Sequence, residues 1–275
     1  MLTSTFTFLQ GIGPTTERRL WREGLLDWQR FMSQSRIAGF SPDRKFLYDR
    51  ELALAQSEYE AGDLRALAVR LHRREHWRFY ETCRSGILCL DIETTGLTSR
   101  DGADAVTVVG LHRNGQTTTL VQGDTLTAER LQAELDQCAL LVTFFGSSFD
   151  VPFLRAAFPQ LRFGMPHFDL CLAARRQGLR GGRKHLEREL GIERESALDS
   201  LNGMDAVRLW TQWRHGDRAA LDLLLAYNAA DTENLAPLAS LIYNEMMSRF
   251  GPAPIGIPAA AVPSMPRPVF EGSSR

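Results

Sequence analysis

The stretch Ile87-Leu88-Cys89-Leu90-Asp91-Ile92-Glu93-Thr94-Thr95-Gly96-Leu97 decides the reading of this chain. Its first four residues are a short continuous apolar run, as a buried central strand requires. Two carboxylates follow at once, Asp91 and Glu93. Residues i and i+2 of a strand face the same way, so both acids project together from the end of a buried strand. Like charges so close repel, and desolvation raises the cost. A cation would relieve both, and oxygen ligands favour hard Mg²⁺ or Mn²⁺ over zinc. A strand end running into a solvated turn with incidental acids is the plainer alternative, with Gly96 providing the turn.

The neighbouring segments build a mixed α/β pattern around that strand. Residues 105–111 and 117–122 are rich in β-branched residues and bracket Asn114-Gly115, a strong hairpin signal. Thr127 to Leu135 reads as a helix with Thr127 at its N-cap, and Leu140 to Phe144 as a second buried strand. Helical patterns follow at Val151–Phe158, Leu170–Gln177, Lys184–Leu190, Asp205–Trp213, Arg218–Tyr227 and Asp231–Met247. A hairpin followed by helices predicts a mixed sheet flanked by helices. Before it, Arg50–Ser57 and Leu64–Thr82 read as helices.

Composition narrows the class. The 275 residues are 44% hydrophobic and 24% charged, with a net charge of −1, which is ordinary for a globular protein. No apolar run reaches the roughly 18 residues of a membrane-spanning helix, and the first residues lack the pattern of a secretory signal. The four cysteines form no CxxC pair, so reduced thiols and a cytoplasmic location are expected. All but Lys45 and Lys184 of the 32 basic residues are arginine, the side chain suited to bidentate phosphate contacts, although codon bias gives the same excess. The balanced charge argues against a protein that coats nucleic acid, but not against one local phosphate site.

Two more acids extend the constellation. Asp150 lies just past the second buried strand, in Phe144-Phe145-Gly146-Ser147-Ser148-Phe149-Asp150, where a carboxylate also suits a helix N-terminus. Asp231 follows Tyr227 by four residues, which puts both on one helical face. An acid in so apolar a stretch is costly unless something pairs with it.

Taken in order, DIETTGL, FDVPFL and YNAAD resemble the three exonuclease motifs of the DEDD superfamily, over about residues 85–250. The resemblance implies an RNase H-like fold and makes Asp91, Glu93, Asp150 and Asp231 the metal-binding acids. The third motif is similar to the tyrosine type, filled by Tyr227 and Asp231, which implies the DEDDy subclass. The asparagine that many members carry in the second motif has no counterpart between Phe144 and Asp150. The layout, including Gly11-Ile12-Gly13, Leu20-Trp21 and Lys184-His185-Leu186-Glu187, resembles the bacterial YprB-like group.

That resemblance implies 3′→5′ hydrolysis of phosphodiester bonds in DNA or RNA with release of nucleoside 5′-monophosphates. Two divalent cations, Mg²⁺ or Mn²⁺, would lie about 3.5–4 Å apart on the scissile phosphate. The family picture gives Asp91 a bridging role, with Glu93 and Asp231 at the ion carrying the nucleophile and Asp150 at the other. Tyr227, with an ordinary pKa of about 10, would orient the attacking water. Thr94, Thr95, Gly96 and Leu97, with Phe149, would shape the pocket of the terminal nucleotide at a single-stranded 3′ end.

Other candidates lie outside this centre. Gly11 and Gly13, with Pro14 opening the next helix, resemble the hairpin of a helix-hairpin-helix module, although Met1–Phe8 makes a poor first helix. Arg175, Arg176, Arg180, Arg183 and Lys184 form a basic stretch able to steer a phosphate backbone. His167 and Asp169 read as structural hydrogen-bonding residues, and the tryptophans as core. The expected organisation is a helix-hairpin-helix-like region at 1–32, a helical connector at 33–84, the exonuclease domain at 85–250 and a proline-rich tail at 251–275. A nucleic-acid-binding protein with little turnover, a structure-selective endonuclease on the same fold and a protein-interaction module are the alternatives.

Overall fold

The computed structural model describes residues 1–96, 106–194 and 196–253. The expectations for Leu97 and for most of the proline-rich tail fall outside them. Five strands form one sheet: β1 (Ile87–Thr94), β2 (Val106–Arg113), β3 (Gln116–Val121), β4 (Leu140–Thr143) and β5 (His167–Asp169). Their order is β3-β2-β1-β4-β5, antiparallel from β3 to β1 and parallel from β1 to β5. The β2–β3 turn has positive φ at Asn114 and Gly115, as a tight hairpin demands.

Helices cover both faces. Ahead of the sheet lie α1 (Pro14–Arg22), α2 (Trp28–Ser33), α3 (Pro42–Glu60) and α4 (Leu64–Arg70). Then come α5 (Ala128–Asp136), α6 (Asp150–Ala157), α7 (Leu170–Arg176), α8 (Arg183–Glu189), α9 (Ser196–Asp199), α10 (Gly203–Arg214), α11 (Arg218–Glu233) and α12 (Leu235–Phe250). Alternation along β1 divides the packing. Leu88, Leu90 and Ile92 join the cluster that includes Leu131, Leu135 and Leu154, whereas Cys89 points to the opposite face, toward Leu235, Leu238 and Ile242. Asp91 and Glu93 share the Cys89 face by the same alternation.

Several boundaries differ from the sequence reading. The helix read at Arg50–Ser57 is the nineteen-residue α3, capped by Ser41, whose side chain accepts from the Arg44 N–H, and started by Pro42. The stretch read as one helix over Leu64–Thr82 breaks at Leu71, which is extended; a 3₁₀ segment, Arg73–Phe79, follows, with the His72 side chain accepting from the Arg74 N–H. Tyr227 and Asp231 lie in the same helix, α11, which ends at Glu233. Pro237 explains the break before α12, because it cannot donate to the Glu233 carbonyl four residues back.

The N-terminal helices belong to the same core as the sheet. Leu2, Phe6, Trp28 and Phe31 form one cluster with Phe168, Leu170, Leu238 and Met246. At its centre Arg78, almost fully buried, pairs with Glu17 (2.8 Å) and Glu75 (2.8 Å). Glu17 also accepts from the Phe6 N–H at 2.7 Å. These contacts compensate a charge that burial alone would forbid. Among the described residues no helix is long and apolar enough to cross a membrane.

Candidate active site

The acids meet at the second half of β1, past its pairing with β4. Asp91 and Glu93 come from β1 and Asp231 from α11, and one carboxylate oxygen from each lies within 4.8 Å of the others. Helix α11 comes close to the sheet because β2 carries Gly110 opposite Asp91. A Cβ at Gly110 would collide with the Asn228 and Thr232 side chains, so only glycine lets the helix approach this closely. The Asn228 Nδ2 in turn donates to Glu93 at 3.5 Å. Asp150, the first residue of α6, is buried. It lines the same cleft, of about 400 Å³, with Tyr227, Thr94, Gly96, Phe144, Phe145 and Phe149.

Burial and crowding make the carboxyls hard to ionise. Desolvation pushes Asp91 up to about 6, with the Asp231 charge adding to it and Arg183 opposing it. Glu93 is raised well above its ordinary range by burial and then by Asp91 and Asp231. Asp150 is raised likewise by burial and by Asp91. Burial also lifts the Tyr227 phenol, with the Asp231 and Glu93 charges reinforcing it. Tyr227 therefore remains a neutral hydroxyl able to donate and accept a hydrogen bond.

Two arginines supply counter-charge. Arg183, at the start of α8, pairs with Asp91 at 2.9 Å and also with Asp231. Burial would lower its pKa, but the surrounding carboxylates outweigh it and keep the guanidinium charged. Arg194, in the loop after α8, pairs with Asp231 and with Glu187 at 2.9 Å. The buried acid in the apolar stretch of α11 is thus paired twice. Glu187 lies one turn beyond Arg183 on α8, a spacing visible in the sequence. Arg194 carried no sequence signal, because only the tertiary fold brings its loop to α11.

The donors suit divalent cations. Four carboxyls and Glu187 stand against two guanidiniums, and burial, with repulsion between the acids, raises the pKa values of three of them. The set is all oxygen, the chemistry of a hard ion such as Mg²⁺ or Mn²⁺. Asp91, Glu93, Asp231 and Asp150 would hold such ions.

The remaining candidates divide. Thr94 is buried and its hydroxyl donates to the Gly96 carbonyl at 2.6 Å, while Thr95 is exposed beside them. Phe149 precedes Asp150 at the N-cap of α6. Lys184 points away from the acids and donates to the carbonyls of Leu198 (3.1 Å), Asp199 (2.8 Å) and Leu201. Its ammonium lies 5.2 Å from the centre of the Tyr227 ring. Gly11 and Gly13 do not line this cleft: Gly11 lies beside Arg44 and Tyr48, and Gly13 is the N-cap of α1. Arg176 pairs with Glu75 at 3.0 Å. His167, which burial holds at about 4, bonds the Thr143 hydroxyl at 2.8 Å, and Asp169 caps α7.

No curated protein matches the chain. Solved structures similar to it include a family B DNA polymerase from the hyperthermophilic archaeon Pyrobaculum calidifontis, at 15% identity over 60% of this chain and 25% of that one (TM-score 0.47). A second, described as the apo form of a nuclease, is 21% identical over 64% of this chain and 78% of its own (TM-score 0.44). A third is Escherichia coli RNase D, an exoribonuclease involved in structured RNA processing, at 17% identity over 63% of this chain and 43% of that one (TM-score 0.43). The chain thus spans a quarter of the polymerase and under half of RNase D. The sequence profile of the RNase_H superfamily matches residues 88–243, the span that holds the sheet, all four acids and Tyr227, and the chain belongs to that superfamily.

Proposed function

We propose that the chain is a metal-dependent 3′→5′ exonuclease of the DEDDy type, within the YprB-like group, acting on a single-stranded 3′ end of DNA or RNA in the cytoplasm. The observation that carries this reading is the convergence of Asp91, Glu93 and Asp231 within 4.8 Å, in a cleft also lined by Asp150 and Tyr227. When bound, two divalent ions would supply Lewis acidity and a nucleophilic water at neutral pH.

The chain's own groups would do the rest. Asp91, Glu93, Asp150 and Asp231 hold the ions. Tyr227 keeps its proton and orients the attacking water by a hydrogen bond, without acting as a base. Thr94, Thr95, Gly96 and Phe149 bound the terminal nucleotide, and the resemblance alone adds Leu97 to this set. Arg183 brings positive charge to the cleft, where a phosphate competes with Asp91 for its guanidinium, and Lys184, held by the Leu198, Asp199 and Leu201 carbonyls, is proposed to act on the substrate only at longer range. Gly11 and Gly13, away from the cleft, are proposed to contact the strand further from its end.

A second reading, nucleic-acid binding with little turnover, draws on the guanidiniums already paired with Asp91 and Asp231. One experiment separates the two. A time course on 5′-labelled single-stranded DNA and RNA is run with Mg²⁺, Mn²⁺ or EDTA, beside Asp91→Ala and Asp231→Ala. A metal-dependent ladder shortening from the 3′ end, lost in both variants, supports the exonuclease. Retained binding without cleavage supports the second reading.

A further inference from the structure

Phe145 holds a backbone conformation that phenylalanine rarely adopts. Its φ is +67°, in the left-handed region that costs a bulky residue energy and that folds retain where the surroundings over-determine it. The surroundings here do so. Asp169, itself buried, accepts from the Phe145 N–H (3.0 Å) and the Ser147 N–H (3.0 Å), and from the Ser147 hydroxyl. The Thr143 hydroxyl accepts from the Gly146 N–H at 3.1 Å, and a Cβ at Gly146 would strike Thr143. The Phe145 carbonyl accepts from the Phe149 N–H at 3.2 Å, which joins the turn to the helix that starts with Asp150.

This bracing presents an aromatic ring to the cleft. The Phe145 side chain is 38% exposed and lines the same cleft as Asp91, Glu93 and Asp150. Arg175 stands over the ring, its guanidinium 5.6 Å from the centroid. Met204, 67% exposed, adds apolar surface to the cleft. Burying Phe145 would normally be favourable, so a rigid, strained turn that keeps the ring at the cleft needs a reason in what the cleft receives.

We infer that Phe145 is the stacking platform for the base of the 3′-terminal nucleotide. The inference rests on the exonuclease reading. A ring that lines the cleft with the acids, with a guanidinium over one face, has its other face for a nucleobase to stack on, whichever base it is. Such a platform tolerates all four bases, and it places the phosphate linking the terminal nucleotide near the carboxyls.

The test is a cycle between Phe145 and the terminal base. Phe145→Asn relaxes the turn, since asparagine tolerates positive φ, and removes the ring; Phe145→Trp keeps a ring. Each is given a single-stranded substrate ending in a normal or an abasic nucleotide. For the wild type, the abasic end is expected to raise KM by about 5- to 150-fold, the range that stacking of one base supplies, with kcat unchanged because stacking holds ground and transition state alike. Phe145→Asn should lose this discrimination and Phe145→Trp should keep it. A 2-aminopurine at the 3′ end should be quenched on binding by the wild type and not by Phe145→Asn.

Equal discrimination in Phe145→Asn overturns the inference, and so does loss of discrimination only when the penultimate base is removed. If Phe145→Asn does not fold, a wild type indifferent to the terminal base overturns it equally. A wild type that cleaves neither polymer overturns the exonuclease reading and this inference with it. A cleaving wild type whose Phe145→Asn variant is indistinguishable overturns the stacking alone.

Discussion

Removing Arg194 should expose how the acid cluster is balanced. Its side chain is 4% exposed and holds two partners still more buried, Glu187 at 2% and Asp231 at 1%. In Arg194→Met, among the described residues Glu187 keeps only Arg183, whose Nε is 3.7 Å away, and Asp231 keeps only the same guanidinium. One cation then serves Asp91, Asp231 and Glu187. An uncompensated buried charge costs about 3–5 kcal/mol, and a chain of this size loses about 2–4 °C per kcal/mol. Melting in EDTA, followed by circular dichroism, should therefore fall by about 6–20 °C. Two further arms identify the cause. Arg194→Met combined with Glu187→Met should recover much of the loss, because replacing both partners of a buried pair by apolar groups is nearly neutral. Mn²⁺ at about 100 times its Kd should stabilise any species that binds it by about 2.7 kcal/mol, and its Kd should be lower in Arg194→Met, where a competing cation has gone. A variant that melts with the wild type in EDTA and binds Mn²⁺ no more tightly would refute the account of Arg194 as counter-charge.

Other consequences can be checked independently. Gly110→Ala should destabilise by about 1–3 kcal/mol through overpacking against Asn228 and Thr232, and should weaken Mn²⁺ binding by pushing Asp231 from β1; calorimetry with a metal titration reads both. The metal-free protein should lose stability as pH rises. A carboxyl whose folded pKa is raised binds its proton more tightly when folded, so its contribution is complete below the ordinary value and is lost through the raised one. For Asp91 that window runs from about 4 to about 6 and is worth about 3 kcal/mol, with Glu93 and Asp150 continuing it upward; saturating Mg²⁺ should flatten the slope, and a metal-free stability that rises over this range would contradict it. Cys83, Cys89 and Cys138, pushed up to about 12 by burial, should resist a thiol reagent at pH 8 until the chain is unfolded. Arg78→Met should cost about 3–5 kcal/mol by stranding Glu17, whereas Glu75 keeps Arg176, and denaturation monitored at the tryptophans and at the sheet should show one shared transition.

Much of the centre was legible because it rests on local periodicity. Two-residue alternation put Asp91 and Glu93 on one face of β1, and the four-residue helical spacing put Tyr227 beside Asp231. The Asn114-Gly115 turn and the apolar runs of β1 and β4 marked most of the sheet, since strand burial leaves a hydrophobic pattern in any order of assembly. Those residues determined that an acidic pair leaves a buried strand and that a mixed α/β layer surrounds it. What meets the pair was decided only in three dimensions. Long-range contacts leave no period in the sequence, so nothing local announced that Arg194 reaches α11 or that Asp169 braces the Phe145 turn. Nor did anything local announce that Gly110 opens the gap through which α11 approaches β1. Nothing local announced that Arg78 and the aromatic residues around it join the N-terminal helices to the core that includes Phe168 and Leu238. A buried charge must find its partner wherever the chain returns, and that return is a property of the packed molecule.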